Sequence, residues 1–203
     1  MLPAVDALGA GALAGLGVAL PLGAVGVLIV QEGITGGWRP ASAAATGVAL
    51  VDGAYAAVAV AAGAAVTTAL AGLERSVQVV GAAVLLAVAV RGLLALRAPA
   101  GTTPGEPVPQ GRVLRRFVAL TAVNPMTAVY FVVLTAGLGE VVTDPASRAA
   151  FAAGVLLASL AWQLTLAGAA SLAGARLPSW LRVATSLAGY LLVVGYAVRL
   201  ALG

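Results

Sequence analysis

Long apolar stretches, separated by short groups of charges and prolines, restrict the fold of this chain more than any other feature. Of its 203 residues, 62% are apolar and only 9% are charged. Soluble domains are typically about 45–50% apolar and about 25% charged. A water-soluble fold of this length could not bury so much apolar surface, so the pattern predicts an integral membrane protein with hydrocarbon as its solvent.

The apolar stretches are long enough to cross a membrane. A helix needs about 20 apolar residues to span the roughly 30 Å of hydrocarbon in a bilayer. Eight of the ten prolines lie at the N-terminus or between such stretches, where proline delimits helices. The first stretch is too long for a signal peptide and lacks a basic n-region, so we interpret it as a retained helix. Six transmembrane helices are predicted, at about 7–31, 41–71, 76–96, 117–139, 149–174 and 181–202.

The arginines are distributed unequally between the two sides of the membrane. With six spans both termini lie on one side, which holds three of the eleven arginines, and the other side holds eight. The positive-inside rule places the arginine-rich side in the cytoplasm, with Trp38 and Trp180 at its interface. All basic residues are arginine, and alanine, glycine and valine abound, which is typical of a GC-rich bacterial genome. We therefore expect a multi-pass protein of the bacterial inner membrane, with both termini on the periplasmic side.

A Pro- and Gly-rich stretch, residues 97–113, divides the chain and predicts a cytoplasmic linker. It separates a first half, residues 1–96, from a second half, residues 114–203, with three predicted spans each. Because three is odd, related halves would be inverted relative to each other in the membrane, which is a recurrent plan of secondary transporters. The predicted fold class is all-α integral membrane, with two inverted three-helix repeats and a broken first helix in each half.

The breaks are predicted from the two remaining prolines, Pro21 and Pro125, which lie inside the first span of each half. Proline frees a backbone carbonyl, which in lipid needs a neighbouring donor or a water-filled cavity. Paired breaks in corresponding helices are the best indication in a sequence of a transporter's binding site, although incidental kinks are the alternative.

Asn124 and Pro125 together predict the start of a new half-helix inside the membrane. Asparagine is a favoured N-cap, and proline is favoured at the first helical position. A helix N-terminus carries partial positive charge and suits a carboxylate. The segment from Leu20 to Gly23 could start a second such half-helix, with Gly23 allowing the close approach of a ligand.

Asp52 is the only acidic residue near the middle of a predicted span. Such a residue costs about 2.5–3.5 kcal/mol on insertion scales, which favours a functional role as a proton carrier or as the counter-charge of a cation. The alternative is a structural hydrogen bond to a neighbouring helix. Tyr55 follows at i+3 on the same face. Gln163 in the fifth span could bind a substrate or merely bridge two helices.

Composition excludes several kinds of site. There is no cysteine or histidine, which excludes disulfides and Cys/His metal sites, and the absence of histidine and lysine disfavours an intramembrane hydrolase. The net charge of +4 lies on short loops and indicates lipid headgroups rather than nucleic acid as a partner. We expect no metal and no cofactor. The GxxxG stretch from Gly11 to Gly15 is compatible with packing inside one chain or with a homo-oligomer.

Three segments resemble the lysine exporter (LysE-type) family of amino-acid exporters. They are LPLGAVGVLIVQEGITGGWRPASAAATGVALVD (20–52), LTAVNPMTAVYF (120–131) and FAAGVLLASLAWQ (151–163). The first is similar to the family's proline–glycine break and second-span aspartate, and the second to its Asn-Pro break. Two positions depart from the family pattern: Ala24 stands where a second proline is frequent, and Met126 where many members have lysine.

The resemblance implies a secondary transporter that exports amino acids or similar small zwitterions, driven by the proton or ion gradient. It implies that the motif positions Pro21, Gly23, Asp52, Asn124 and Pro125 form the site. The substrate would be a small molecule such as a basic amino acid, homoserine or threonine. Export of another small solute or an inorganic ion, and a non-transport membrane scaffold, stay open as alternatives.

Overall fold

The computed structural model describes residues 2–20, 23–70, 74–96, 108–124, 127, 130–131, 142 and 144–202. All regular structure within these residues is α-helical, which confirms the predicted all-α class for this part of the chain. The helices are α1 (Leu2–Ala19), α2 (Ala24–Gly36), α3 (Trp38–Leu70), α4 (Glu74–Leu96), α5 (Gln110–Ala122), α6 (Pro145–Arg176) and α7 (Ser179–Leu202).

Two of these helices are long and apolar enough to cross a membrane by themselves. They are α3, over Trp38–Ala61, and α6, over Pro145–Arg176. The pair α1 and α2 gives a third span if the two are counted as one broken helix, whose halves meet at 79°. The described residues therefore contain two or three candidate spans, and the other predicted spans stay a prediction. Exposed leucines such as Leu13 and Leu172 match a fold whose outer surface faces lipid.

The helix boundaries near the two predicted breaks follow from local chemistry. The helix α1 ends at Ala19, two residues before Pro21, because the residue preceding a proline disfavours the helical conformation. The chain re-enters helix at Ala24, after the extended residue Gly23. In the second half, α5 already begins at Gln110, inside the predicted linker, and ends at Ala122. Pro21 and Pro125 themselves lie outside the described residues.

A capping box fixes the start of α6. The Asp144 carboxylate accepts hydrogen bonds from the backbone N–H groups of Ala146 at 2.8 Å and Ser147 at 3.1 Å. The Ser147 hydroxyl in turn accepts from the Asp144 N–H at 3.3 Å. The hydrogen bond from the Ser147 side chain holds the pKa of the Asp144 carboxyl below its usual value. Pro145, at the first helical position, suits this start.

The helix α6 lies at the centre of the packing. The helices α1, α2 and α3 all pack against it, α5 packs on α3, and α4 packs on α7. Glycine permits the closest of these contacts, because Gly11 and Gly15 of α1 lie against the backbone of Phe151 and Val155 in α6. The GxxxG stretch therefore packs two helices within one chain.

Candidate functional site

A cavity of about 60 Å³ lies where the broken pair α1 and α2 meets α3, α5 and α6. Its wall is partly apolar, from short side chains of α1 to α3, and includes two glycines at the start of α2, Gly23 and Gly26. Its polar lining within the described residues consists of Asp52, Thr121, Asn124, Thr127 and Gln163. Both predicted halves of the chain thus contribute polar groups to one small space.

Four residues singled out from the sequence line this cavity together: Gly23, Asp52, Asn124 and Gln163. They lie far apart in the sequence and belong to different segments of the fold. Tyr55 is not part of the lining, and the positions of Pro21 and Pro125 are outside the described residues.

Asp52 is almost completely buried on α3, with 2% of its surface exposed. Its Oδ2 accepts a hydrogen bond of 2.6 Å from the hydroxyl of Ser159 on α6, which is itself buried. This bond fixes the orientation of the carboxylate and links the two helices. Ser159 was missed in the sequence, although it lies one helical turn before Gln163 and thus on the same face of the fifth predicted span.

Tyr55 forms a hydrogen bond with the C-terminal end of α5. Its hydroxyl donates a 2.7 Å hydrogen bond to the carbonyl of Ala122, the last residue of that helix, and its ring stacks on Phe131 with centroids 6.0 Å apart. The last carbonyls of a helix have no intrahelical donor, so in an apolar environment a side-chain donor stabilises them. Tyr55 therefore positions the segment that leads to Asn124.

Three helix ends surround the cavity. The helix α2 starts there, at Ala24 after its N-cap Gly23, whereas α1 ends at Ala19 and α5 ends at Ala122, beside the lining residues. First-turn N–H groups carry partial positive charge, and last-turn carbonyls carry partial negative charge. Asp52 adds full negative charge when it is ionised. The cavity thus has an electropositive wall at α2 and an electronegative wall at Asp52.

Two polar atoms of the cavity lining are buried and unpaired. Thr121 Oγ1 and Gln163 Oε1 have no hydrogen-bond partner within the part of the chain that the structure describes. Buried polar atoms in proteins are nearly always paired, so an unpaired one in a cavity wall indicates a place for a ligand or water. Thr121 was missed in the sequence because threonine is common in membrane helices and nothing in its local pattern distinguishes it.

An ion pair joins α2 and α5 next to the cavity. The Arg116 guanidinium contacts the carboxylate of Glu32, and its carbon lies 5.0 Å from the centre of the Phe117 ring. Arg116 precedes Thr121 by five residues, about 7.5 Å along a helix. The pair therefore lies to one side of the cavity and connects the two predicted halves. In the sequence Arg116 counted only toward topology, because a pairing between distant segments leaves no local pattern.

Comparison with known proteins identifies the family. No curated protein and no solved structure matches the chain. A sequence model of the LysE type translocator family matches residues 16–203, which include the three segments that first indicated the resemblance and all the residues that line the cavity. The match covers nearly the whole chain, and the chain belongs to the LysE type translocator family.

Proposed function

We propose that this protein is a secondary transporter that exports an amino acid or a similar small zwitterion from the cytoplasm, driven by the proton or ion gradient. Family membership makes it a membrane translocator for small solutes. The observation that carries the proposal is the cavity, in which a buried carboxylate and a helix N-terminus lie together. A zwitterion has the two charges that such a cavity complements.

In the proposed binding mode, the substrate's ammonium group lies at Asp52 and its carboxylate at a helix N-terminus. First-turn N–H groups of a helix have no intrahelical partner, and those of α2 lie beside Gly23 and Gly26, where the absence of side chains lets a ligand reach the backbone. The predicted helix start at Pro125 is the second candidate for the carboxylate. Asp52 would hold the amine, exchange a proton, or do both at different stages.

The helix packing supports a pair of inverted three-helix halves, with six spans in all. If the halves, residues 1–96 and 114–203, are related, α1 corresponds to α5, α3 to α6 and α4 to α7. The helix α1 packs on α6 just as α5 packs on α3, and α3–α6 and α4–α7 are the self-paired contacts that such a relation requires. Export would then proceed by rocking of the halves around the cavity.

The proposed orientation places both termini in the periplasm and the arginine-rich side in the cytoplasm of a bacterial inner membrane. Trp38 and Trp180, which are 50% and 69% exposed, begin α3 and lie in the first turn of α7. Exposed tryptophans at helix starts suit a membrane–water interface. The Glu32–Arg116 pair would then lie on the cytoplasmic side of the cavity.

The decisive experiment measures efflux of labelled amino acids from loaded cells that contain the protein, an Asp52→Asn variant or an empty vector. We expect export by the protein of at least one amino acid, and its loss in Asp52→Asn at equal membrane abundance. Asp52→Glu should retain part of the activity, because the carboxylate survives at a displaced position.

The same variant distinguishes the two roles of Asp52. If Asp52 carries the proton, Asp52→Asn should still exchange substrate across vesicles without accumulating it; if Asp52 holds the amine, exchange itself should fail. Full pumping by Asp52→Asn across a range of pH would make Asp52 a structural residue. A panel that finds inorganic ions exported, or no solute at all, would favour the ion exporter or the scaffold instead.

A further inference from the structure

We propose that the cavity selects a primary ammonium group, through three oxygen acceptors on three helices: the carboxylate of Asp52, Thr121 Oγ1 and Gln163 Oε1. The inference rests on the proposed function, because it specifies how the substrate's amine is recognised. It gives Thr121 and Gln163 the role of hydrogen-bonding the ammonium group. Neither helix packing nor neutralisation of the substrate's charge requires their side-chain oxygens.

Gln163 and Thr121 each have a side-chain oxygen that forms no hydrogen bond with a neighbouring described residue. They are 5% and 2% exposed, and both line the cavity. Neither oxygen has a partner within the described residues, which is costly unless a ligand or water supplies a donor. Gln31, the other glutamine with an unpaired Oε1, differs because it lies outside the lining and its Nε2 donates to the Ser186 carbonyl at 2.8 Å.

Four other helical threonines differ from Thr121 in how their hydroxyl groups are paired. A threonine in a helix normally directs its hydroxyl to the carbonyl four residues earlier. Four others in the described helices do so, at 2.7–2.9 Å: Thr35, Thr46, Thr165 and Thr185. Thr121 does not, although the corresponding carbonyl, that of Phe117, lies four residues earlier. Its hydroxyl therefore has no acceptor within the described residues, and Thr121 itself lines the cavity.

Three acceptors match the three N–H donors of a primary ammonium group. Asp52 supplies the charge, and the two neutral oxygens fix the direction of the remaining N–H bonds. Each N-methyl group on the substrate removes one donor and places a methyl group against a buried oxygen, which is then unpaired. No arginine or lysine lies in the described lining to occupy these acceptors, and residues 125–129 contain no charged side chain.

The test compares amines that differ only in methylation. Proteoliposomes that contain the full-length protein are assayed for exchange of labelled glycine, alanine, threonine or lysine. For each amino acid, the unlabelled parent, its N-methyl derivative and its N-trimethyl derivative are added separately as competitors of the labelled form. We expect the parent to compete about tenfold better than the N-methyl compound, in line with one lost hydrogen bond to a charged group. The trimethyl compound should not compete at all.

Isosteric variants test whether Gln163 Oε1 and Thr121 Oγ1 cause the preference for a primary amine. Gln163→Met and Thr121→Val should each weaken the parent by about tenfold and leave the N-methyl compound nearly unchanged, so the ratio between them collapses. Both variants should fold, because the oxygen that each removes has no partner in the described protein. Thr121→Ser, which keeps the hydroxyl, should restore the ratio. Gln31→Met is the matched control, and it should leave the ratio intact even if it lowers stability.

The outcomes separate this inference from the function on which it rests. Exchange of an amino acid in which the N-methyl compound competes as well as the parent would overturn the inference and leave the proposed function standing. A tenfold ratio that persists in both Gln163→Met and Thr121→Val would also overturn it. If none of the four amino acids is exchanged, the inference fails together with amino-acid export.

Discussion

Replacing Gly11 with alanine should force α1 away from α6, because the structure leaves no space for the added methyl group. An ideal Cβ at Gly11 would overlap the carbonyl oxygen of Phe151 and lie 2.9 Å from its carbon and 3.0 Å from its Cα. All three atoms belong to backbone, so no change of side-chain rotamer can relieve the contact. Gly9 provides the control on the same helix, because a Cβ there meets no atom within 4 Å among the described residues.

The pair of variants isolates the steric cost of the added methyl group. Glycine to alanine inside a helix stabilises by roughly 0.5–1 kcal/mol, and this gain should apply equally to Gly9→Ala and Gly11→Ala. Overpacking a tight contact costs about 1–3 kcal/mol. The propensity gain cancels in the comparison, so Gly11→Ala should be less stable than Gly9→Ala by about 1–3 kcal/mol.

This difference is measured by unfolding the purified variants. Each variant is held in a mild detergent and titrated with a denaturing detergent, and tryptophan fluorescence monitors the unfolding. Gly154→Ala should reproduce the loss from the other side of the interface, since a Cβ there would overlap the carbonyl of Leu8. Equal stability of Gly9→Ala and Gly11→Ala would refute the backbone contact between α1 and α6, and with it the interpretation of the GxxxG stretch as an internal packing motif.

Three further predictions concern the site and the topology. Asn124→Leu should cripple transport at normal membrane abundance, because the loss of a cap worth about 0.5–2 kcal/mol also disorients the N–H groups it orders; normal efflux would leave Asn124 and Pro125 as a mere kink. Arg116→Glu should lower export, and the reversed pair Glu32→Arg with Arg116→Glu should restore part of it; a double variant no better than the single one would contradict a role for the pair. A reporter fused after Gly203 should show periplasmic alkaline phosphatase activity, whereas cytoplasmic fluorescence would reverse the proposed orientation.

The helical class and four residues of the cavity lining could be predicted from the sequence because both depend on residue types that are unusual where they occur. Asp52 is unusual within an apolar span, and Asn124 is unusual before an intramembrane proline. Gly23 and Gln163 stand out for the same reason, since a break or an amide is costly in hydrocarbon. The cavity that brings all four together could be inferred only through the analogy of two paired breaks.

The contacts that the sequence did not predict depend on how helices cross. Ser159 matters because α6 places it opposite Asp52, and no pattern within either helix indicates that pairing. Tyr55 shows the limit of helical periodicity. Three residues advance a helix by about 300°, so the side chain at i+3 points about 60° away from Asp52. On α3 that rotation directs Tyr55 to the end of α5 instead of the cavity.

The same packing divides the proposed ammonium site between the two proposed halves. Glycines bring backbones of the two halves together, with Gly11 of α1 against α6 and Gly47 of α3 against the Leu114 carbonyl of α5. Asp52 belongs to the first half, whereas Thr121 and Gln163 belong to the second. A substrate amine that contacts all three would bridge the halves, as does the Ser159–Asp52 hydrogen bond. Any rocking of one half against the other would therefore change the distance between the acceptors, so the movement that exposes the cavity would also weaken the hold on the amine and release the substrate.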